Sequence, residues 1–371
     1  MPSGYTIEDL IGVPALMGLM NETTTGLPDP VPDSFDKPKR QVVGNAARLF
    51  IGYGQRKVAR YGKYGAPATT YAMEQLSAKD ITVLSSFGSL PIDPLTFQRL
   101  HQFDSYDMQK MGAGEVARQV ALAKQRFENG RKVQKWSALR FGKIWADSSG
   151  NPLPSSSGAA ADYTIDFGRA SGHEGQLDVF GTGAIIDVKW DTTTANIPKH
   201  VELIQKAAAK ETGLPITHAF YGASVPGFIR KNTLVQPFMV HDPMTYRPLN
   251  RSTTIPDGLL GLKWVPVSNA FYEDADGNLQ SMFADDEVLF TPDPEKGGWW
   301  EVIEGSMLIP NTVDVSNRTI TDIMSAAKMV YGQYAYSQYT HNPIGLTNYF
   351  GDNCLYALKN PKATYRADVD F

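Results

Sequence analysis

The spacing of hydrophobic positions changes along the chain, and each change marks a new kind of element. The first 45 residues show almost no period. "TIEDLIGVPALMGLM" (residues 6–20) fits one short helix, capped by Thr6 and broken at Pro14. "TTTGLPDPVPDSFDKPK" then places prolines at 28, 30, 32 and 38. Such a stretch is extended and has no core of its own, so its apolar residues need a surface supplied by the rest of the chain or by a neighbour. Over residues 46–92 the residue types favour strands. Tyr53, Val58, Tyr61, Tyr64 and Tyr71 alternate with glycines at 52, 54, 62 and 65, which predicts a long two-stranded excursion. An isolated hairpin is marginal in water, so something else must hold it. "KDITVLSSFGSLPIDP" returns to the body of the molecule.

From Asp93 the period lengthens. Asp93 and Pro94 suit the N-cap and first position of a helical region reaching about Ile144. Val116, Val120, Ala123 and Phe127 recur at helical spacing, and Val133, Trp136 and Leu139 resume it. Asn129-Gly130 between them predicts a bend or break. If unbroken, residues 115–143 would span about 43 Å. Strands follow at "DYTIDFG" (162–168) and "GAIIDVKW" (183–190). Residues 196–213 predict a helix with Asn196 as cap, Pro198 near its start, Val201 and Ile204 inward and Gly213 closing it. "LPITHAFYG" reads as a strand, and 257–310 as strands and turns with a hairpin at Asp276-Gly277. A final helix is expected over 317–339, with Ile320, Ile323, Ala327, Val330 and Tyr334 inward, before closing strands over 351–371. Helices and strands mixed in this order read as an α+β fold. No internal repeat is visible.

Composition adds little to this picture. A 371-residue chain that is 42% hydrophobic and 20% charged can bury a real core and more than one subdomain. The single cysteine, Cys354, excludes an internal disulfide and reads as a packed core thiol in a reducing compartment. "MPSGYTIEDL" does not read as a secretory leader, and no apolar run approaches the ~18–20 residues that span a bilayer. A soluble protein without membrane contact is therefore expected. Six scattered histidines lack metal-site spacing, so neither a metal nor another cofactor is expected.

Charge changes the picture more. The net charge of -4 hides three blocks. Between Asp36 and Glu74 there is no acid but eight cations, Lys37, Lys39, Arg40, Arg48, Arg56, Lys57, Arg60 and Lys63. Residues 115–143 carry eight cations against Glu115 and Glu128. From Asp257 to Glu304 eleven acids, among them Asp285, Asp286 and Glu287, face only Lys263 and Lys296. Blocks of this kind are either solvated faces or complementary patches that steer contacts between proteins.

Catalytic signatures fail one by one. "GYGQRKVARYG" lacks the third glycine of a dinucleotide loop, and no phosphate-binding P-loop exists. "GASVPG" misses a nucleophile elbow by one residue. "DADGN" lacks the glycine and glutamate of a calcium loop. Three readings stay open on the residues alone. They are an assembly protein, a nucleic-acid binder using the basic 37–63 and 115–143 blocks, and a cytosolic enzyme using the 285–287 carboxylates. Only the first accounts for a Pro-rich arm together with a coreless basic ribbon.

The order of features resembles the major capsid proteins of tailed bacteriophages, in particular the phage lambda capsid protein E-like family. The residues that carry this are "LPDPVPDSF", the basic ribbon, "KWSALRFGKI", "DYTIDFGRASG", "VKWDTTTANIPKHVELIQKAAAKETGLPITHAFYG", "GLLGLKWVPVSNAFYEDADGN" and "FADDEVLFTP". The resemblance implies the Hong Kong-type capsid fold. Its parts would be an N-terminal arm (1–45), an extended loop (46–92), a peripheral domain with a long spine helix (93–190), an axial domain (191–345) and C-terminal strands returning to their junction (346–371). It implies a non-enzymatic head protein. Copies would form hexamers and pentamers of an icosahedral shell around double-stranded DNA, assembled in the host cytoplasm. Portal, scaffold and decoration proteins are the expected partners, the scaffold being a separate chain. In that frame Arg56, Lys57, Arg60 and Lys63 sit at the loop tip and contact a neighbouring subunit, with Asp285, Asp286 and Glu287, or the acids of 93–107, as acceptors. Lys124, Arg126, Arg131, Lys132, Lys135, Arg140 and Lys143 on the spine helix are the expected DNA-facing cations, through phosphate neutralisation without sequence preference.

Overall fold

The computed structural model describes residues 13–22, 29–51, 77–92, 106–148, 150–153, 162–181, 183–239, 254–267, 270–273, 277–310, 327–341 and 344–371. Two sheets organise it, and one long helix, α2 (Tyr106–Phe141), links them. The larger sheet has six strands: β1 (Lys39–Val42), β4 (Ser85–Ile92), β14 (Trp300–Ile309), β15 (Lys328–Tyr331), β16 (Gln333–His341) and β17 (Ile344–Leu358). β17 is its axis. It pairs antiparallel with β14 through its second half, while its first half lies between β16 and β4. The smaller sheet runs β10 (Lys263–Pro266), β9 (Ile216–Tyr221), β13 (Glu287–Pro292), β18 (Tyr365–Asp368) and β8 (Glu174–Gly175). Helix α3 (Ile197–Glu211) packs beside it through Val201, Ile204, Ala207 and Ala208. Two short helices follow β9, α4 (Val225–Lys231) and α5 (Gln236–Met239).

Smaller pieces complete the chain. β2 (Ala46–Ile51) pairs with β3 (Ser77–Thr82), in register from Ala46↔Thr82 to Ile51↔Ser77. β5 (Lys143–Ala146) lies between β6 (Pro152–Leu153) and β7 (Tyr163–Asp166). β11 (Phe271–Glu273) and β12 (Leu279–Ser281) form the expected hairpin, with Gly277 at φ 82° in its turn. α3 begins as its sequence predicts: Asn196 accepts the Lys199 N–H at 3.2 Å, and Gly213 at φ 76° follows its end.

Several expectations are corrected. α1 (Val13–Glu22) carries Pro14 in its first turn, where a missing N–H costs nothing, and the part of the expected helix before Val13 lies outside the described residues. Asn129-Gly130 does not interrupt α2. Val116, Val120, Ala123 and Phe127 pack on β17 and its neighbours, Val133, Trp136 and Leu139 enter the main core, and anchorage at both ends carries the helix through. Residues 328–339, read as helix, are β15 and β16. Val330 and Tyr334 are buried as expected, but as members of a sheet. Gly332 at φ 69° separates the two strands. "GAIIDVKW" is irregular chain. Ile185 and Trp190 are buried there, and their N–H groups reach Leu177 and Val369 carbonyls outside any ladder. The helical starts at Asp93 and Thr6 and the 317–326 portion of the last expected helix lie outside the described residues. Leu177 to Trp190 pack with the smaller sheet, 300–341 belong to the larger one, and the last two strands divide between them.

Candidate functional site

The Pro-rich arm is bound along the seam between the sheets. Phe35 is fully buried, edge-on to the rings of His218, Phe220, Trp299 and Trp300 at 5.8–6.2 Å. The Trp300 indole donates to the Phe35 carbonyl at 2.8 Å, and β1 continues the arm as a parallel partner of β14. Lys135 of α2 clasps the same stretch, its ammonium 3.0 Å from Asp29 and 2.9 Å from Asp36. Tyr356 donates a further bond to Asp36. The expectation that the arm needs a surface is answered, for 29–42, by the subunit itself.

The ribbon is rooted in the same core. Ala47, Leu49, Ile81 and Val83 are buried on one face of the β2–β3 pair, and Phe50 is exposed on the other. Arg48 and Asp80 pair across it at 2.8 Å, an exposed ion pair that contributes little. Arg56, Lys57, Arg60 and Lys63 lie outside the described residues.

The basic face of α2 is largely consumed internally. Arg131 makes two bonds of 2.6 Å to Asp352 on β17. Lys135 is buried under the arm. Arg140 is buried against Glu287, with bonds of 2.8 and 2.6 Å, and donates to the Met282 carbonyl. Lys143 is on β5, not on the helix, and pairs with Asp166 at 3.1 Å. Lys124 lies 3.9 Å from Glu128, and Lys132 is half-buried with a partner of its own. Arg131, Lys135 and Arg140 are thus corrected as DNA-facing residues, because burial of a cation demands a paired acid and each has one. Arg126 is exposed and pairs with no acid among the described residues.

The 285–287 carboxylates separate in the same way. Glu287 is buried at the start of β13 and neutralised by both Arg140 and Arg366, the latter at 3.2 Å. It is unavailable to a neighbour or a substrate. Asp285 is exposed and Asp286 half-buried. Burial, then the negative charge of Asp286 and a hydrogen bond with it, push the Asp368 carboxyl up.

Around Glu287 lies a junction that sequence reasoning missed. Arg169 is buried and donates to the Leu139 and Arg140 carbonyls at the end of α2, and to the Thr364 hydroxyl. A cation on the last carbonyls suits the negative end of a helix. Desolvation nevertheless pulls this guanidinium down to about 10. Gly142, at φ 62°, turns the chain out of the helix, and a Cβ there would meet Arg169 Cβ at 2.8 Å. The Phe141 ring lies under both Arg140 and Arg366, at 4.7 and 4.8 Å. The signal available in the sequence was "RFG…FGR", where each arginine lies within two residues of a phenylalanine and a glycine.

Among the described residues no group of His, Cys, Asp and Glu is arranged to hold a metal, and no helix is long and apolar enough to cross a membrane. A family model for phage major capsid protein E matches residues 51–310. The chain belongs to that family. Its fold agrees. The crystal structure of a prophage capsid protein from E. coli CFT073 superposes with a TM-score of 0.56 at 13% identity, covering 97% of this chain and 99% of that one. A phage-related protein from Bordetella bronchiseptica RB50 gives 0.48 at 11% identity over 96% and 97% of the two chains. The satellite phage P4 procapsid gives 0.44 at 11% over 96% and 90%. No curated protein matches the chain by sequence. Major capsid protein E is a structural protein of the phage head, so its place is the virion capsid, and the α+β architecture described above is the phage capsid fold.

Proposed function

We propose that this capsid protein assembles with copies of itself into hexamers and pentamers that close an icosahedral shell around double-stranded DNA. The observation that supports this best is the superposition on a prophage capsid protein over 97% of this chain and 99% of that one. In this reading the larger sheet with α2 is the peripheral domain and the smaller sheet with α3 the axial domain. The arm is 1–45 and the extended loop 46–92, rooted at the β2–β3 pair. The loop tip carries Arg56, Lys57, Arg60 and Lys63 onto a neighbour, where Asp285 and Asp286 or the acids of 93–107 receive them. Portal, scaffold and decoration proteins are its further partners, and DNA is held without sequence preference.

Negative-stain microscopy of the concentrated full chain tests the shell. Uniform shells, tubes or sixfold capsomers are expected. A well-folded monomer at every concentration and salt, with and without a co-expressed scaffold, would overturn the reading. Reversing Arg56, Lys57, Arg60 and Lys63 to Glu should abolish assembly without moving the thermal unfolding midpoint, and normal shells from that variant would remove the loop's assigned role.

A further inference from the structure

The clasp that holds the arm contains more chemistry than an ion pair needs. Lys135 reaches out of α2 with its side chain 3% exposed, and its Nζ meets two carboxylates, Asp29 at 3.0 Å and Asp36 at 2.9 Å. One of them would balance the charge. Each is fixed by a contact of its own. Asp29 Oδ1 accepts the Val31 N–H at 3.0 Å. Asp36 ends a short 3-10 turn, Asp33–Asp36, which the buried Phe35 ring pins to the seam. The oxygen of Asp36 that faces away from Lys135, Oδ1, accepts the Tyr356 hydroxyl at 2.9 Å. Burial pushes the Tyr356 phenol well up, so it stays a donor. The Lys135 ammonium lies 5.5 Å from the centre of the same ring.

These four side chains are the parts of an amide-forming site. An amine in hydrogen-bond contact with a carboxylate base is activated as a nucleophile. A donor already placed on the carbonyl oxygen of the electrophile stabilises the oxyanion that forms there. Holding the two reactants in contact supplies an effective concentration of about 10⁵–10⁸ M, which offsets the unfavourable condensation of an amine with a carboxylate in water. A cavity of about 390 Å³ opens beside the group, lined by Asp29, Asp36, Lys132, Lys135 and Tyr356 among others. It gives a released water a way out, and Lys132 on its wall leaves Asp29 with a cation nearby.

We propose that Lys135 and Asp36 condense into an isopeptide bond that ties the arm to α2 within one subunit. Nζ attacks Asp36 Cγ, and the Nζ–Cγ bond forms. Asp29 relays two protons in turn from Nζ to Asp36 Oδ2. The Cγ–Oδ2 bond breaks and Oδ2 leaves as water. Oδ1 remains on the Tyr356 hydroxyl as the amide carbonyl, and Nζ keeps one hydrogen. One ammonium and one carboxylate thus give one neutral amide and one water, with no oxidant or other reactant. The bond lies inside a single chain and goes beyond the shell reading without resting on it.

The mass of the denatured full chain reads the bond directly. A value about 18 Da below that of the sequence is expected, with Lys135 and Asp36 in the joined peptides after digestion. Asp36→Ala and Lys135→Arg should each show the full mass of their own sequences. Asp29→Asn should slow formation of the bond about 100-fold, followed as mass against time after refolding. A full sequence mass in aged, folded protein overturns the bond and leaves Lys135 as an ion-pair clasp alone. A deficit of one water that survives Asp36→Ala arises elsewhere and overturns it as well. Joined peptides that contain Asp29 in place of Asp36 overturn the assignment of the acylated residue. None of these results bears on whether the subunits form a shell.

Discussion

Glu287 shows how a residue's chemistry is decided by its neighbours. In the sequence it is one of three consecutive acids and looks exposed. In the molecule it lies between two arginines, Arg140 over the Phe141 and Phe283 rings and Arg366 over Phe141. Replacing it by Gln keeps the shape and strands two cations in a site of low polarity. Breaking a buried pair in this way costs about 3–5 kcal/mol. The thermal unfolding midpoint of Glu287→Gln should fall well below that of Asp285→Asn, whose carboxylate is exposed. Equal midpoints would mean that the buried cluster contributes nothing. Cys354 belongs to the same class of fact: burial pushes its thiol up to about 12, and it behaves as core.

At the scale of elements, what could be read in advance depended on how local its cause is. The α3 cap, the β11–β12 hairpin with Gly277 at positive φ, the strands at 163–166 and 216–221 and the amphipathic faces of α2 rest on patterns within a few residues, and all were legible. Residues 328–339 were not. Val330 and Tyr334 are spaced for a helix, and the reason they form strands is β17 and β14, which pair with them from elsewhere in the chain. The internal cations of α2 were illegible for the same reason, because Asp29, Asp352 and Glu287 come to it from three distant segments. Gly130 offers a direct check on the helix. It sits inside α2, and an added Cβ would meet nothing within 4 Å. Gly130→Ala should therefore stabilise the subunit by about 0.5–1 kcal/mol, read as a higher urea midpoint. A lower midpoint would mean that the helix bends at this glycine after all.

For the molecule as a whole, the second core carries a built-in acid sensitivity. His173 is buried against Tyr365, with Glu211 at 3.0 Å; His200 accepts the Trp190 indole N–H on Nδ1 and faces Asp187 through Nε2. Burial holds both below the usual histidine range, against the opposing pull of Glu211 and Asp187. The unfolded chain takes up a proton at each near pH ~6.5 that the folded chain resists. Their contribution is therefore complete above that pH and is lost as pH falls through it toward the folded values. Each adds a slope of up to about 1.4 kcal/mol per pH unit. Urea midpoints measured from pH 7.5 down to 5 should fall, and His200→Gln should flatten the fall. An unchanged slope in that variant would assign the sensitivity elsewhere.

The order of strands has a further consequence, which concerns synthesis. β17 is the axis of one sheet and β18 lies inside the other, between β13 and β8. Both are made after every other strand of the described residues. Until they emerge, neither sheet can close, α2 has no floor under its first half, and the Arg140–Glu287 pair lacks Arg366. A partly translated subunit therefore cannot present a finished surface to copies already free in the cell. Neither core is complete until residues 344–368 have been made.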